Sequence, residues 1–472
     1  MLFNTLEYFA FFIIVLTVAW GTAQFGRLRT LLLLAASIYF YASNNSWQTL
    51  LLLFTTTVDY CVCLQLAKCE DEKSRRRLVS ISIVSNLGLL AWFKYANFLG
   101  HSATNFAALF GIKLDWITLN VVLPVGISFY TFEALSYTID VYRRKIPAER
   151  DWSRLAFLVT FFPHLISGPI IRAADFFPQI GRRPSLTRGE LERALFLLAG
   201  GLLKKIVLAD NLAPYSDAAF DTPGGVGTVQ AWLGFYAFAF QIYFDFSGYT
   251  DIAIGCANLL GFVLPDNFRR PYAAQSITEF WRRWHISLST WLRDYLYIPL
   301  GGNKMSSPAG VYRNLMLTML LGGLWHGAAW TFVCWGAMHG LYLSLERALG
   351  FGRQEQRGEK GVGYQLLAAL LTFHVVAITW IPFRAANLHL MKQLLIAMFS
   401  GVPGAKLSIG AILFSLVMAV SWFWQFMGER VNFYNFWSTR KVPIRAVAYA
   451  AIGILVFVIG SGVPKSFIYF RF

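Results

Sequence analysis

LMLTMLLGGLWHGAAWTFVCWGAMHGLYLSL, residues 315–345, contains 31 residues and not one Asp, Glu, Lys or Arg. A segment of about 18 or more apolar residues is long enough to cross a bilayer. This one is longer than a single crossing requires, and it carries His326 inside Leu-Leu-Gly-Gly-Leu-Trp-His-Gly-Ala-Ala-Trp, Leu320 to Trp330. An ionisable side chain at membrane depth is expensive and marks a functional site by default. The competing reading is a neutral imidazole bonded to a carbonyl between packed helices. Gly322–Gly323 offers a kink that turns His326 toward a central cavity. The alternative is that these glycines let two helices pack closely.

The rest of the chain has the same character. Of 472 residues, 56% are hydrophobic and only 14% are charged, against roughly 25% charged in soluble domains. The expectation is an all-α polytopic membrane protein, because backbone inside lipid must satisfy itself within helices. Candidate spans are Leu6–Ala23, Leu31–Tyr41, Thr49–Ala67, Leu78–Leu99, Asn120–Tyr137, Leu191–Leu208, Ala231–Gly248, Ile252–Val263, Leu315–Leu345, Gln365–Ile381, Ile409–Phe426 and Arg445–Gly460. Leu6–Ala23 lacks a basic leader and reads as a retained span rather than a cleaved signal. Leu155–Ile171 is short and carries Pro163, Gly168 and Pro169. It reads as a re-entrant hairpin. No long polar segment interrupts residues 1–472, which read as a single membrane-embedded domain with residues 277–345 as its catalytic segment.

The net charge of +16 comes from short basic loops and gives no nucleic-acid signal. Arg27 and Arg29, then Lys68, Lys73 and Arg75 to Arg77, then Arg143, Arg144, Lys145 and Arg150 follow alternate spans. The turn Asn44–Asn45–Ser46 between them has no basic residue. The positive-inside rule then puts these clusters in the cytoplasm and the N-terminus outside. They face anionic lipid and also suit an anionic donor. The five cysteines, Cys61, Cys63, Cys69, Cys256 and Cys334, form no C-x-x-C pair. No disulfide framework and no metal site is expected.

Residues Ile277 to Lys304 hold the densest chemistry. They read as one helix ending near Pro299 and Gly301–Gly302. His285 then shares a face with Trp281, Leu288 and Leu292. Arg282, Ser289 and Arg293 run beside it, next to Arg283. Such a stripe fits an interfacial anchor. It also fits a slot for an anionic, ring-bearing ligand, with arginine on phosphate and tryptophan stacking. Asp245 and Asp251 are carboxylates in an apolar setting that need a partner, an arginine or a histidine. His164, and His339 some 13 residues after His326 and on another face of a straight helix, are read as structural. Nucleophile-elbow, Walker A, G-x-G-x-x-G and H-E-x-x-H patterns are absent. Histidine as a general base remains the natural chemistry.

These residues carry a resemblance. Leu123 to Phe132 (LPVGISFYTF), Phe162 to Pro169 (FPHLISGP), Tyr243 to Tyr249 (YFDFSGY), Ser276 to Trp291, Arg313 to Gly327 and Phe467 to Phe472 (FIYFRF) occur in this order along most of the chain. The chain resembles the membrane-bound O-acyltransferases, and within them the branch that acetylates bacterial exopolysaccharides such as alginate. The resemblance implies a ring of about 11 or more tilted helices, with re-entrant and interfacial helices, around a central tunnel. It implies His326 as the active-site histidine and His285 as the second required position. Asp245 and Asn314 fall in the matching segments and Asp251 lies two residues beyond one; all three are expected as supporting residues. It further implies acetyl-coenzyme A as a donor substrate with no bound cofactor, a multi-pass place in the bacterial inner membrane among its lipids, and a periplasmic SGNH-type acetyltransferase as partner. Three rival readings are D-alanyl transfer from a carrier protein, a polysaccharide or lipid transporter, and a haem or metal protein using His285 and His326.

Overall fold

The computed structural model describes residues 3, 5–43, 46–166, 168–305, 307–350, 361–428, 433–460, 465 and 467–468. Asn44 and Asn45 of the uncharged turn, Ser167, and Tyr469 to Phe472 of the terminal motif lie outside them. Among the described residues every regular element is helical. Among the described residues, five helices are long and apolar enough to cross a membrane: Gln48–Leu66, Glu72–Ala108, Val362–Arg384, Ile409–Gly428 and Val442–Ile459.

The chain divides into two compact units. One comprises residues 1–194 and 253–265, the other 195–252 and 266–472. In the first, Gln48–Leu66, Glu72–Leu90 and Ile127–Tyr142 pack on one another. Asp71 starts the second of these by accepting from the Ser74 amide at 2.9 Å, the ordinary N-cap arrangement. Asp59, inside the span Gln48–Leu66, is buried and takes hydrogen bonds from Ser82 and from Asn86 at 3.0 Å. Carboxylates at such depth survive only when bonded in this way.

The basic loops of this unit have two different jobs. Arg75 is 4% exposed. Its guanidinium donates to Leu66 O at 2.6 Å, Cys69 O at 3.0 Å and Tyr142 O at 2.7 Å. It therefore satisfies carbonyls at the C-terminal ends of two helices, which the helices themselves leave open. Arg76 and Arg77 are exposed. Arg144 reaches Glu70 at 2.7 Å, so the loops after the third and fifth expected spans adjoin. Asp151 is held below the ordinary carboxylate range by the Ser153 hydroxyl and amide, helped by Arg27 and Arg154, which brings the first cluster to the same end. Residues 155–171 form Trp152–Thr160 and Phe162–Leu165, both short and buried. Neither helix is long enough to cross a bilayer. Cys61 is exposed and Cys63 buried, on different sides of their helix.

In the second unit the structure corrects two readings. Ala231–Gly248 and Ile252–Val263 are not separate spans but belong to one 32-residue helix, Thr228–Leu259. Gly248 does not break it: a Cβ there would lie 2.9 Å from Gly201 O, so the glycine serves close packing. Residues 315–345 are not one bent helix. Pro308–His326 and Trp330–Ala348 are two helices packed on each other. Ser307 caps the first, with Pro308 at its first position. The glycines are the reason for the contact. A Cβ on Gly323 would sit 2.3 Å from Phe332 O, and one on Gly336 would sit 2.4 Å from Met319 O. Close approach of small residues is how helices associate where lipid offers no hydrophobic drive.

Arg75→Met leaves three carbonyls without their donor and is expected to destabilise the protein by about 2–4 kcal/mol. Arg77→Met, on an exposed position, is expected to stay within about 0.5 kcal/mol. Thermal unfolding of both variants in one detergent checks this; equal melting of the two contradicts the division of labour.

Candidate active site

The chemistry-bearing residues converge in the second unit. His326 is the last residue of Pro308–His326 and is 5% exposed. Rings surround its imidazole: Trp325 and Trp335 at 5.0 Å and Phe383 at 5.2 Å between centroids. The turn after it depends on Gly327. Its backbone is extended, and a Cβ there would lie 2.0 Å from the Phe332 ring. Phe332 packs on Phe383 at 5.1 Å, so the space beside Gly327 and the wall of the His326 cage are one packing problem.

His285 departs from its expected place. The segment 277–304 is not a continuous helix. It breaks into Ile277–Arg283 and Ile286–Leu292, followed by a π-helical turn, Arg293–Tyr297. His285 occupies the break with φ 43° and ψ 55°, so it shares no helical face with Trp281, Leu288 and Leu292. Left-handed backbone at a β-carbon-bearing residue costs of order 1–3 kcal/mol and clusters at functional sites. The imidazole is fully buried. It lies edge-on to Phe246 at 4.7 Å, and Trp325 stands 6.1 Å from it. Its Nδ1 is 3.2 Å from Asn267 Oδ1. Trp325, next to one histidine in sequence and against the other in space, links the two.

The neighbouring framework is fully specified. Ser276 caps Ile277–Arg283 through the Glu279 amide at 3.1 Å. Glu346, at the far end of Trp330–Ala348, accepts from the Ile277 amide at 2.6 Å and the Thr278 amide at 3.2 Å. A carboxylate is well placed at that positive helix end. Asn314 holds the following loop by donating to Leu300 O at 3.0 Å.

His339 is on the second helix of the pair, so the angle expected along one straight helix does not apply. Its Nδ1 accepts from Trp281 Nε1 at 3.3 Å, and its Nε2 lies 3.0 Å from Thr379 Oγ1. Thr379 in turn donates to Val376 O at 2.6 Å. These partners fix a neutral ring with its proton on Nε2, a structural role. His164 in the first unit is also buried, with Nε2 3.0 Å from Leu158 O.

Of the residues expected to hold a donor, Trp281, Ser289 and Arg293 line one cavity of about 110 Å³, together with Leu292, Tyr297 and Thr318. Arg282 is exposed. Arg283 is tied to Glu279 one turn back, and Arg293 pairs with Asp294 at 2.7 Å. Asp245 and Asp251 both meet lysines. Lys204 reaches Asp251 at 2.6 Å, and Lys205 bridges Asp245 and Asp210, at 2.5 and 2.8 Å. Asp245 also accepts from the Ile468 amide at 2.7 Å. Lys205 and Asp245 are buried and need each other's charge, whereas Lys204 and Asp251 are partly exposed. A wider cavity of about 460 Å³ between Trp232, Phe373 and Trp422 contains none of the expected residues. Sequence reading missed Asn267, Trp335 and Phe383. Trp335 stood in the quoted charge-free run, but nothing in its spacing tied it to His326.

The match to known proteins follows the same residues. The model of the membrane-bound O-acyltransferase family matches residues 33–359. The chain belongs to that family. It is 47% identical over 328 residues to a probable alginate O-acetylase of Pseudomonas putida, covering 70% of this chain and 66% of that one. A peptidoglycan O-acetyltransferase of Helicobacter pylori is 37% identical over 375 residues, 74% of this chain and 69% of that one. A teichoic acid D-alanyltransferase of Streptococcus thermophilus is 32% identical over 237 residues, 48% of this chain and 57% of that one. The matched part spans 66%, 64% and 61% of the first three alginate relatives, a little under two thirds of their length.

Gly327→Ala pushes Phe332 against the His326 cage and is expected to destabilise by about 1–3 kcal/mol. Gly322→Ala meets only the flexible end of Leu292, at 3.2 Å, and is expected to be tolerated. Differential scanning fluorimetry separates them; a tolerated Gly327→Ala contradicts the packing described.

Proposed function

We propose that this protein moves acetyl groups from a cytoplasmic thioester toward an exported glycan, as a membrane-bound O-acetyltransferase. The observation that carries the reading is His326 at the end of its helix, walled by three aromatic rings and linked through Trp325 to a second buried histidine. Water-poor surroundings keep an imidazole neutral, which a general base must be.

In this reading His326 takes the proton of an acceptor hydroxyl. The resulting alkoxide attacks the thioester carbonyl, the tetrahedral intermediate collapses, and the thiolate leaves and takes up a proton. The imidazolium formed transiently at His326 lies at the C-terminal end of its helix, a favourable place for positive charge. His285 orients the thioester or polarises its carbonyl. The cavity lined by Trp281, Ser289 and Arg293 holds part of the donor, and exposed Arg282 and neighbouring Arg283 lie toward its anionic head. Asp245, Asp251 and Asn314 keep the surrounding helices and loop in place.

Acetyl-coenzyme A is the proposed donor, used as substrate with no resident cofactor. The acceptor chain is an exopolysaccharide of the alginate type, reached through a periplasmic SGNH-type acetyltransferase. Two glycan O-acetylating relatives support this. The D-alanyl relative shares less, 32% against 47% identity, which favours acetyl over aminoacyl transfer. The protein sits in the bacterial inner membrane with its N-terminus on the periplasmic side. Residues 1–472 act as one acyltransferase domain, a ring of about 11 or more helices around a tunnel, with residues 277–345 as the catalytic segment.

His326→Ala should lower O-acetylation of the exported polysaccharide at least a hundredfold, the lower end of what a general base supplies, about 10²–10⁴. Its level in the membrane should be unchanged. Acetyl content measured on secreted polymer from complemented cells decides; normal acetylation with His326→Ala overturns the assignment.

A further inference from the structure

We infer that Asn267 is a positioning residue that fixes which nitrogen of His285 carries the proton. This rests on the proposed role of His285 in acyl transfer.

Asn267 is 1% exposed and lies 18 residues before His285, in an irregular stretch between helices. Its Oδ1 gathers the Ser287 amide at 3.1 Å, the Ser287 hydroxyl at 2.9 Å and His285 Nδ1 at 3.2 Å. A backbone amide can only donate. The atom facing Ser287 N is therefore the amide oxygen, and the assignment of O and N at Asn267 does not rest on choice. An oxygen can only accept, so His285 Nδ1 must bear the hydrogen. In the neutral ring the lone pair is then on Nε2.

The backbone repeats the contact. Asn267 O accepts from the Ile286 amide at 2.9 Å, and Arg269 N donates to Arg283 O at 2.8 Å. The 267–269 strip thus clasps both sides of the break at Trp284–His285. These bonds flank the left-handed backbone of His285, a conformation uncommon outside glycine.

A third observation separates this from ordinary packing. Asn267 Nδ2 is buried and makes no hydrogen bond among the described residues. A buried donor left without a partner is destabilising. Asn267 is therefore a poor choice for stability alone and is best explained by what its oxygen does. Partners that set the tautomer and angle of a working histidine change activity by about 10–100-fold when removed.

The test compares Asn267→Ala, Asn267→Asp and His285→Ala in proteoliposomes, reading thiol release and acetyl transfer from acetyl-coenzyme A. Asn267→Ala should lose about 10–100-fold in kcat, with KM for the thioester within about twofold. Asn267→Asp keeps an acceptor oxygen and should recover most of the loss. Nitrogen-15 spectra of histidine-labelled protein should show the His285 ring protonated at Nδ1. That reading needs only the unsubstituted protein, so it stands if Asn267→Ala fails to fold. An Nε2-protonated His285 overturns the inference. So does wild-type kcat in Asn267→Ala beside an inactive His285→Ala. Wild-type turnover in His285→Ala instead overturns the parent reading of that histidine.

Discussion

The backbone contact between Pro308–His326 and Trp330–Ala348 is the constraint on which the site depends. Gly323 and Gly336 let the two helices approach until a single methyl would overlap a carbonyl. At that separation the turn Gly327–Ala329 closes, and Trp335 comes to lie between His326 and His339, 5.0 and 4.8 Å from their rings. The same tryptophan then meets Trp281 at 5.7 Å, which ties the pair of helices to the broken segment that carries His285. One small-residue seam thus sets the relative placement of most aromatic and imidazole groups in this unit.

Around that seam the chain disposes of its charges in pairs. Glu346 takes up the amides of Ile277 and Thr278, and Lys205 is shared by Asp245 and Asp210. Each pairing removes a charge from competition for substrate. Beside these groups, His285 and His326 stand among aromatic rings. In a water-poor setting this suits proton transfer to and from a hydroxyl better than chemistry needing a fixed charge.

Much of this was legible from the chain alone. The charge-free run 315–345 announced a buried helical fold, and His326 stood out because ionisable residues are scarce at that depth. The short proline-bearing stretch 155–171 was readable as an interruption of the long helices, and its two helices are short. Periodicity failed where backbone geometry took over. It gave His285 a helical face because nothing in Arg-Arg-Trp-His-Ile-Ser signals a left-handed residue; the contacts that flank the break come from Asn267, 18 positions away. It joined two helices at 315–345 because apolar composition is the same on both sides of Gly327–Ala329. The partners of Asp245 and Asp251 were unreadable for a similar reason. Arginine is the commoner partner in buried pairs, whereas here neighbouring lysines 204 and 205 reach the two carboxylates from a π-helical turn.

The central claim is that His326 is the base on which acyl transfer through the membrane-embedded site depends. The most direct measurement is label transfer in sealed proteoliposomes, with radiolabelled acetyl-coenzyme A on one side and the glycan and its soluble acetyltransferase on the other. The account predicts label on the far-side acceptor with the unsubstituted protein and none with His326→Ala of equal fold and abundance. Equal labelling by both proteins would contradict it.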